Sequence, residues 1–226
     1  MLLHIPQVLD TQTVAYCRQR LEAAEWEDGK MTSGSLSVSI KRNQQLAKDS
    51  AVAKELGAII LQALNANEMF FSAALPSYVI PPQFNRYENS MDLGNHIDNA
   101  VQGIFGTQER IRADLSATLF FAEPEDYDGG ELVIEDTYGV HEVKLAAGDM
   151  ILYPSTSLHR VEPVTRGARL ASFMWIQSMV RDVGERVVLF DLDTSIRQLR
   201  QQEGSHDIAT QLTGTYHNLL RRWADL

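Results

Sequence analysis

The stretch GGELVIEDTYGVHEVKLAAGDMILYPSTSLHRVEPVTRGARLASFMWIQS, Gly129–Ser178, decides the fold. Its apolar or alternating runs (ELVIE, VHEVKL, DMILYP, HRVEPV, RLASFMW) are short. Turn chemistry separates them at Asp128-Gly129-Gly130, Tyr138-Gly139, Gly148-Asp149 and Arg166-Gly167. Strands at such close spacing predict a β-sandwich or barrel. Upstream, YVIPPQFNRYE (Tyr78–Glu88) and ADLSATLFFAE (Ala113–Glu123) read the same way, so the β region covers about 76–179.

Helices flank it. In DTQTVAYCRQRLEAAEW, Val14, Cys17, Leu21 and Ala24 step by three and four, with Asp10 or Thr11 as N-cap. A second helix runs through SAVAKELGAIILQALNAN, with Val52, Leu56, Ile60 and Leu64 on one face and Ser50 as cap. Between them GSLSVSIKR alternates like a strand. After the β region, Leu192, Ile196 and Leu199 mark one helix, and Ile208, Leu212, Tyr216, Leu219 and Trp223 another. Gly204 and Ser205 serve as stop and cap. This predicts a helical hairpin packed on the barrel or on a second copy of the chain, and Arg221 and Arg222 suit its C-terminal dipole.

Composition bounds the function. Hydrophobic residues at 44% and charged residues at 22% fit a globular protein. A net charge of −10 argues against a broad nucleic-acid surface. No apolar run approaches the roughly 18 residues of a membrane span, and MLLHIPQVLD lacks the pattern of a signal peptide. Cys17 is the one cysteine, which excludes an intrachain disulfide and a Cys-rich zinc site and fits a cytoplasmic protein.

The chemistry starts in LGNHIDNAV, Leu93–Val101. On an extended strand His96 and Asp98 share a face while Ile97 points away into packing. Alone, the pair also reads as a polar loop. One further ligand from a neighbouring strand completes a two-histidine, one-carboxylate facial triad, which leaves positions open on Fe(II). His159, after DMILYPSTSL, is the natural third ligand. Arg169 follows ten residues later. If HRVEPV and RLASFMW form a hairpin at TRGA, Arg169 comes level with His159 and faces inward with Ala171, Phe173 and Trp175. An inward guanidinium needs an anion, and a bidentate carboxylate is the obvious one. The other histidines fit bland roles: His141 on a solvated strand, His206 in a first helical turn, His217 on a helix, His4 near the terminus. DYDGG is too short for a calcium loop and reads as a turn.

These residues and their flanking words, RYENSMDLGNHIDN, YDGGELVIED and GDMILYPSTSLHRVEPVTRGARLASFMWIQS, resemble the PKHD-type hydroxylases. Those are bacterial Fe(II)- and 2-oxoglutarate-dependent dioxygenases similar to the catalytic domains of prolyl 4-hydroxylases and procollagen lysyl hydroxylases. The resemblance implies an α+β fold with a double-stranded β-helix core (jelly-roll, cupin-like), N-terminal supporting helices and a C-terminal helical hairpin. It implies a dioxygenase domain over 1–180 and a helical extension over 181–226. It makes His96, Asp98 and His159 the iron ligands and Arg169 the anchor of the distal carboxylate of 2-oxoglutarate, with Tyr87 as a second cosubstrate contact. It implies hydroxylation of an unactivated C–H bond with loss of CO2 to give succinate, and L-ascorbate as reductant. Implied substrates are peptidyl proline or lysine, or a small molecule such as a siderophore, with a link to iron homeostasis. The C-terminal helices offer a surface for a homo-oligomer. Against this stand a non-catalytic cupin-like metal or ligand sensor, and a metalloenzyme that needs no 2-oxoglutarate. Neither has a use for an inward Arg169.

Overall fold

The computed structural model describes residues 1–32, 40–137 and 139–226. Eight strands carry the core: β1 (Gln83–Glu88), β2 (Asp92–His96), β3 (Leu115–Phe120), β4 (Leu132–Asp136), β5 (Gly139–Val143), β6 (Met150–Pro154), β7 (Leu158–Val161) and β8 (Ala168–Ser178). One sheet runs β1–β8–β3–β6 and the other β2–β7–β4–β5. Every pairing among them is antiparallel. Except at the β4–β5 hairpin, the chain changes sheet at each connection, which makes a double-stranded β-helix.

Short strands extend the edges. Leu3–Ile5 adds to β6, Gln44–Gln45 to β1 and Lys41–Arg42 to β2. The N-terminal region, expected to be mainly helical, therefore also contributes strands. Of the expected strand GSLSVSIKR, Lys41–Arg42 is one and 34–39 lie outside the described residues.

Helices cover the outer face of the first sheet. α1 (Thr11–Glu22) is capped by Asp10, which accepts from Thr13 N at 2.7 Å. α2 (Ala51–Ala66) is capped by Ser50, which accepts from Ala53 N at 3.2 Å. A further helix, α3 (Glu68–Ala74), follows with Asn67 as its cap. Val14, Cys17 and Leu21 of α1, Leu56, Ile60 and Leu64 of α2, and Phe70 of α3 join one core with Phe84, Leu119, Leu152 and Leu170. Those strand residues alternate with Asn85, Thr118, Tyr153 and Arg169, which face the other way, into the space between the sheets. Ala24 lies beyond the end of α1 and is only partly buried.

The tail forms α4 (Val183–Arg200) and α5 (His206–Trp223). α4 starts well before the expected apolar stripe because Asp182 caps it through Glu185 N at 2.9 Å. Leu189, Ile196 and Tyr216 pack with Leu75 and Val180, so the hairpin sits on its own chain, at the end of α3 and β8. Ile208 was expected on the apolar face but is 56% exposed; Ala209 takes the buried position. Among the described residues no helix is long and apolar enough to cross a membrane.

Candidate metal centre

His96 ends β2 and His159 is the second residue of β7, and these strands pair with the two histidines directly opposite each other. Their rings lie 4.1 Å apart, centroid to centroid. Asp98 follows in extended chain just past β2, and its Oδ2 is 3.8 Å from His159 Nε2. One ligand atom from each of the three lies within 4.8 Å of the others, the separation expected of donors around one ion. Ile97 departs from expectation: it is 58% exposed and faces solvent, not packing, because the strand ends at His96.

Both imidazoles are oriented by backbone carbonyls. His96 Nδ1 donates to Gly94 O at 2.9 Å and His159 Nδ1 to Ser157 O at 3.0 Å. A carbonyl only accepts, so Nδ1 carries the hydrogen and Nε2 keeps its lone pair for a metal. Burial, followed by the neighbouring His159, holds His96 below the usual imidazole range and keeps it neutral. Asp98 Oδ2 accepts from Ser116 Oγ at 2.6 Å, and Ser116 Oγ lies 2.7 Å from Ser155 Oγ. Tyr153 stands edge-on to His159 at 5.2 Å, and burial raises its phenol, so it remains protonated.

Arg169 lies deeper in the same cavity, 1% exposed. Its guanidinium carbon sits 5.1 Å from the Phe120 ring centroid and 5.5 Å from that of Tyr87, which pairs with it across β8 and β1. Arg169 Nε and Nη1 have no hydrogen-bond partner among the described residues. A buried cation with unmet donors fits a carboxylate ligand. Burial raises the Tyr87 phenol and Arg169 opposes that rise. The expected hairpin that would bring Arg169 level with His159 does not form. β7 and β8 belong to different sheets, and Val164–Arg166 between them pairs with Asp128–Gly129. The sheets face each other, so Arg169 reaches the histidines across the cavity and not along a hairpin. The inward parity of Arg169, Phe173 and Trp175 holds.

The remaining predicted residues fall elsewhere. His141 Nε2 is 3.2 Å from Asp136 on an exposed hairpin, His4 is bound to Asp149 at 2.7 Å, and His206 and His217 lie on α5. DYDGG is not the expected tight turn: Asp128–Gly129 forms a short irregular strand against Val164–Arg166, Gly129 and Gly130 have φ of +72° and +69°, and Asp128 pairs with Arg166. Sequence reasoning missed Ser116, Ser155 and Tyr153. Their one signal is inward parity in β3 and β6, carried one residue past the end of β6 for Ser155, which requires the sheet register to read.

The residues fit a ferrous centre with a dicarboxylate beside it: two imidazoles, each held by a carbonyl at Nδ1, and one carboxylate whose donor atoms lie close together, with a buried arginine in the same cavity. Known proteins point the same way. The family model described as the 2OG-Fe(II) oxygenase superfamily matches residues 82–177, and that of the PKHD-type hydroxylase C-terminal domain matches residues 184–225. A PKHD-type hydroxylase of Paraburkholderia xenovorans is 59% identical over the full length of both chains. One from Acinetobacter baumannii is 56% identical, again over all of both. The chain belongs to the PKHD-type hydroxylases. It is therefore an oxidoreductase that uses Fe(II), 2-oxoglutarate and O2. The fold neighbours are more distant. The crystal structure of a Pseudomonas putida prolyl-4-hydroxylase superposes with a TM-score of 0.53 at 22% identity, over 78% of this chain and 92% of that one. A Trichoplax adhaerens prolyl hydroxylase, solved with a hypoxia inducible factor peptide fragment, gives 0.56 at 15%, over 83% and 86%. At these identities the likeness concerns the double-stranded β-helix.

Proposed function

We propose that His96, Asp98 and His159 hold the iron and that Arg169, with Tyr87 beside it, holds the distal carboxylate of 2-oxoglutarate, so that this cavity hydroxylates an unactivated C–H bond. The observation that carries the reading is the buried, hydrogen-bond-deficient Arg169 in the same cavity as the triad. When bound, iron with its cosubstrate and O2 supplies the oxidant, one oxygen atom going to succinate and the other to the substrate. The chain's own residues do the rest. The two Nδ1–H bonds and Ser116 fix the three donors, Arg169 sets the end of the cosubstrate, and the sheets exclude water from the far side of the site. Ascorbate is the reductant this reading implies.

The substrate enters at the mouth formed by Ile97, Asn99, Gln102 and Gly103. It is a side chain or small molecule slender enough to reach the metal. A small molecule of iron uptake, such as a siderophore, is the form that a role in iron homeostasis would take. We also read 1–180 as the dioxygenase unit and 181–226 as a helical extension that braces it through Leu75 and Val180. The test is succinate release from 2-oxoglutarate with Fe(II) and ascorbate, followed by incubation with cell extract under labelled O2. The expected result is release by the wild type, its loss in Arg169→Ala, and one labelled oxygen gained by a peptide or a metabolite. Equal release by Arg169→Ala would refute the assignment of the cosubstrate anchor.

A further inference from the structure

The inward face of β3 runs from the metal ligands to the buried arginine. Its members are Ser116, Thr118 and Phe120. At one end Ser116 Oγ donates to Asp98 at 2.6 Å, and at the other the Phe120 ring lies 5.1 Å from the guanidinium carbon of Arg169. Thr118 stands midway, two residues and about 6–7 Å of strand from each. Ser116 and Thr118 line the cavity, and so does Tyr153.

Tyr153 reaches this row from β6. It pairs with Ser116 across β3 and β6, and its ring stands edge-on to His159 at 5.2 Å. Burial dominates the surroundings of its phenol, and after burial come Asp98, the Thr118 hydroxyl, Arg169 and Tyr87. The hydroxyl therefore lies between the metal ligands and the arginine. Thr118 donates to the phenol oxygen, which leaves the phenol O–H for a second partner. Asp98, the one carboxylate among the described residues lining the cavity, already accepts from Ser116 and turns Oδ2 towards His159 Nε2 at 3.8 Å. A phenylalanine would pack against His159 equally well, and a buried hydroxyl is costly unless it is bonded.

The cosubstrate offers the missing acceptor, since its two carboxylates and keto oxygen accept and never donate. We propose that the Tyr153 hydroxyl donates a hydrogen bond to the metal-binding end of 2-oxoglutarate, and that Thr118 is the positioning residue that holds the hydroxyl there. The proposal rests on reading this cavity as the active site, and it adds a contact at the end away from Arg169. A cosubstrate held by its far carboxylate alone is free to swing at the other end. A hydroxyl fixed beside His159 removes that freedom.

The test uses the full chain held without O2. Fe(II) affinity is measured first, by competition with a metal-binding dye. Calorimetric titration of the iron-loaded protein follows, with 2-oxoglutarate and with oxalate, a probe that has the chelating oxygens but no far carboxylate. Tyr153→Phe keeps the ring, so iron should bind as in the wild type. Its affinity for both ligands should fall about tenfold or more, as for a lost hydrogen bond to a charged group. Arg169→Ala should weaken 2-oxoglutarate and spare oxalate. Thr118→Val should weaken both ligands, Thr118→Ser should restore them, and Thr118→Val should add nothing in the Tyr153→Phe background. Wild-type affinity of Tyr153→Phe for 2-oxoglutarate would overturn the proposal. So would loss of iron in that variant, which would make Tyr153 a support of His159, or a loss confined to 2-oxoglutarate, which would place it at the arginine end. Additive losses in the double variant would overturn the role of Thr118. A failure of the underlying reading shows separately, as a wild-type chain that binds iron without 2-oxoglutarate.

Discussion

A histidine donates or accepts at each ring nitrogen, and what it can ligate depends on which nitrogen is committed. In His96 and His159 the committed one is Nδ1, bound to carbonyls two residues back in the chain. Spacing makes His96 and Asp98 a candidate pair, because i and i+2 share a face on a strand, and it is His159, Arg169 and the flanking words together that turn the pair into a set. Ser116 is not marked that way. It is one serine in an apolar strand until the register places it 2.6 Å from Asp98. Ser116→Ala is expected to weaken iron binding by about 10–100-fold with the fold intact, the usual effect of removing a group that orients a ligand. Competition against a metal-binding dye reads this, and unchanged affinity would remove Ser116 from the site. Cys17 is a contrast. It is fully buried on α1, and burial raises its thiol to about 11. At pH 8 the thiolate is scarce as well as shielded, so the native protein should resist a disulfide reagent and release one equivalent of reporter after denaturation. Rapid reaction of the native protein would contradict the packing of α1.

Elements are legible where local chemistry defines their ends. Asp10 and Ser50 cap α1 and α2 as the sequence predicts, because a side-chain oxygen that satisfies a free amide is a local signal. The connection from β7 to β8 is not local. The run from HRVEPV to RLASFMW looks like a hairpin, since Arg166-Gly167 is good turn chemistry, but Val164–Arg166 pairs with Asp128–Gly129 and carries the chain into the other sheet. The side-chain period survived this error, so Arg169 still faces inward. Gly167 makes the crossing possible. Its φ is +69°, and a Cβ there would meet Asp126 O at 2.0 Å. Gly167→Ala should cost about 1–3 kcal/mol from backbone conformation alone, and more as Asp126 is displaced. Because Arg169 lies two residues on, affinity for 2-oxoglutarate should fall with thermal stability. Wild-type values of both would show that the turn does not hold Arg169 in place.

At the scale of the molecule, two facing sheets place four side chains from β2, its following loop, β7 and β8 around one cavity, while α1, α2 and α3 pack on the outer face and the α4–α5 hairpin on the end of β8. Strand spacing announced the β core, and the flanking words announced the family. The order of strands across the two sheets was not legible, since it depends on contacts between residues far apart in the chain. The most direct test of the account is anaerobic binding of Fe(II) and then 2-oxoglutarate to the wild type, to Arg169→Ala and to single alanine variants of His96, Asp98 and His159. One iron and one 2-oxoglutarate should bind the wild-type chain. Iron should be lost in each triad variant while the circular dichroism spectrum is unchanged. In Arg169→Ala iron should be kept and 2-oxoglutarate affinity should drop about 30-fold or more, the loss of a buried charge pair of about 2–5 kcal/mol. Stoichiometric iron in all three triad variants, or wild-type 2-oxoglutarate affinity in Arg169→Ala, would contradict the account.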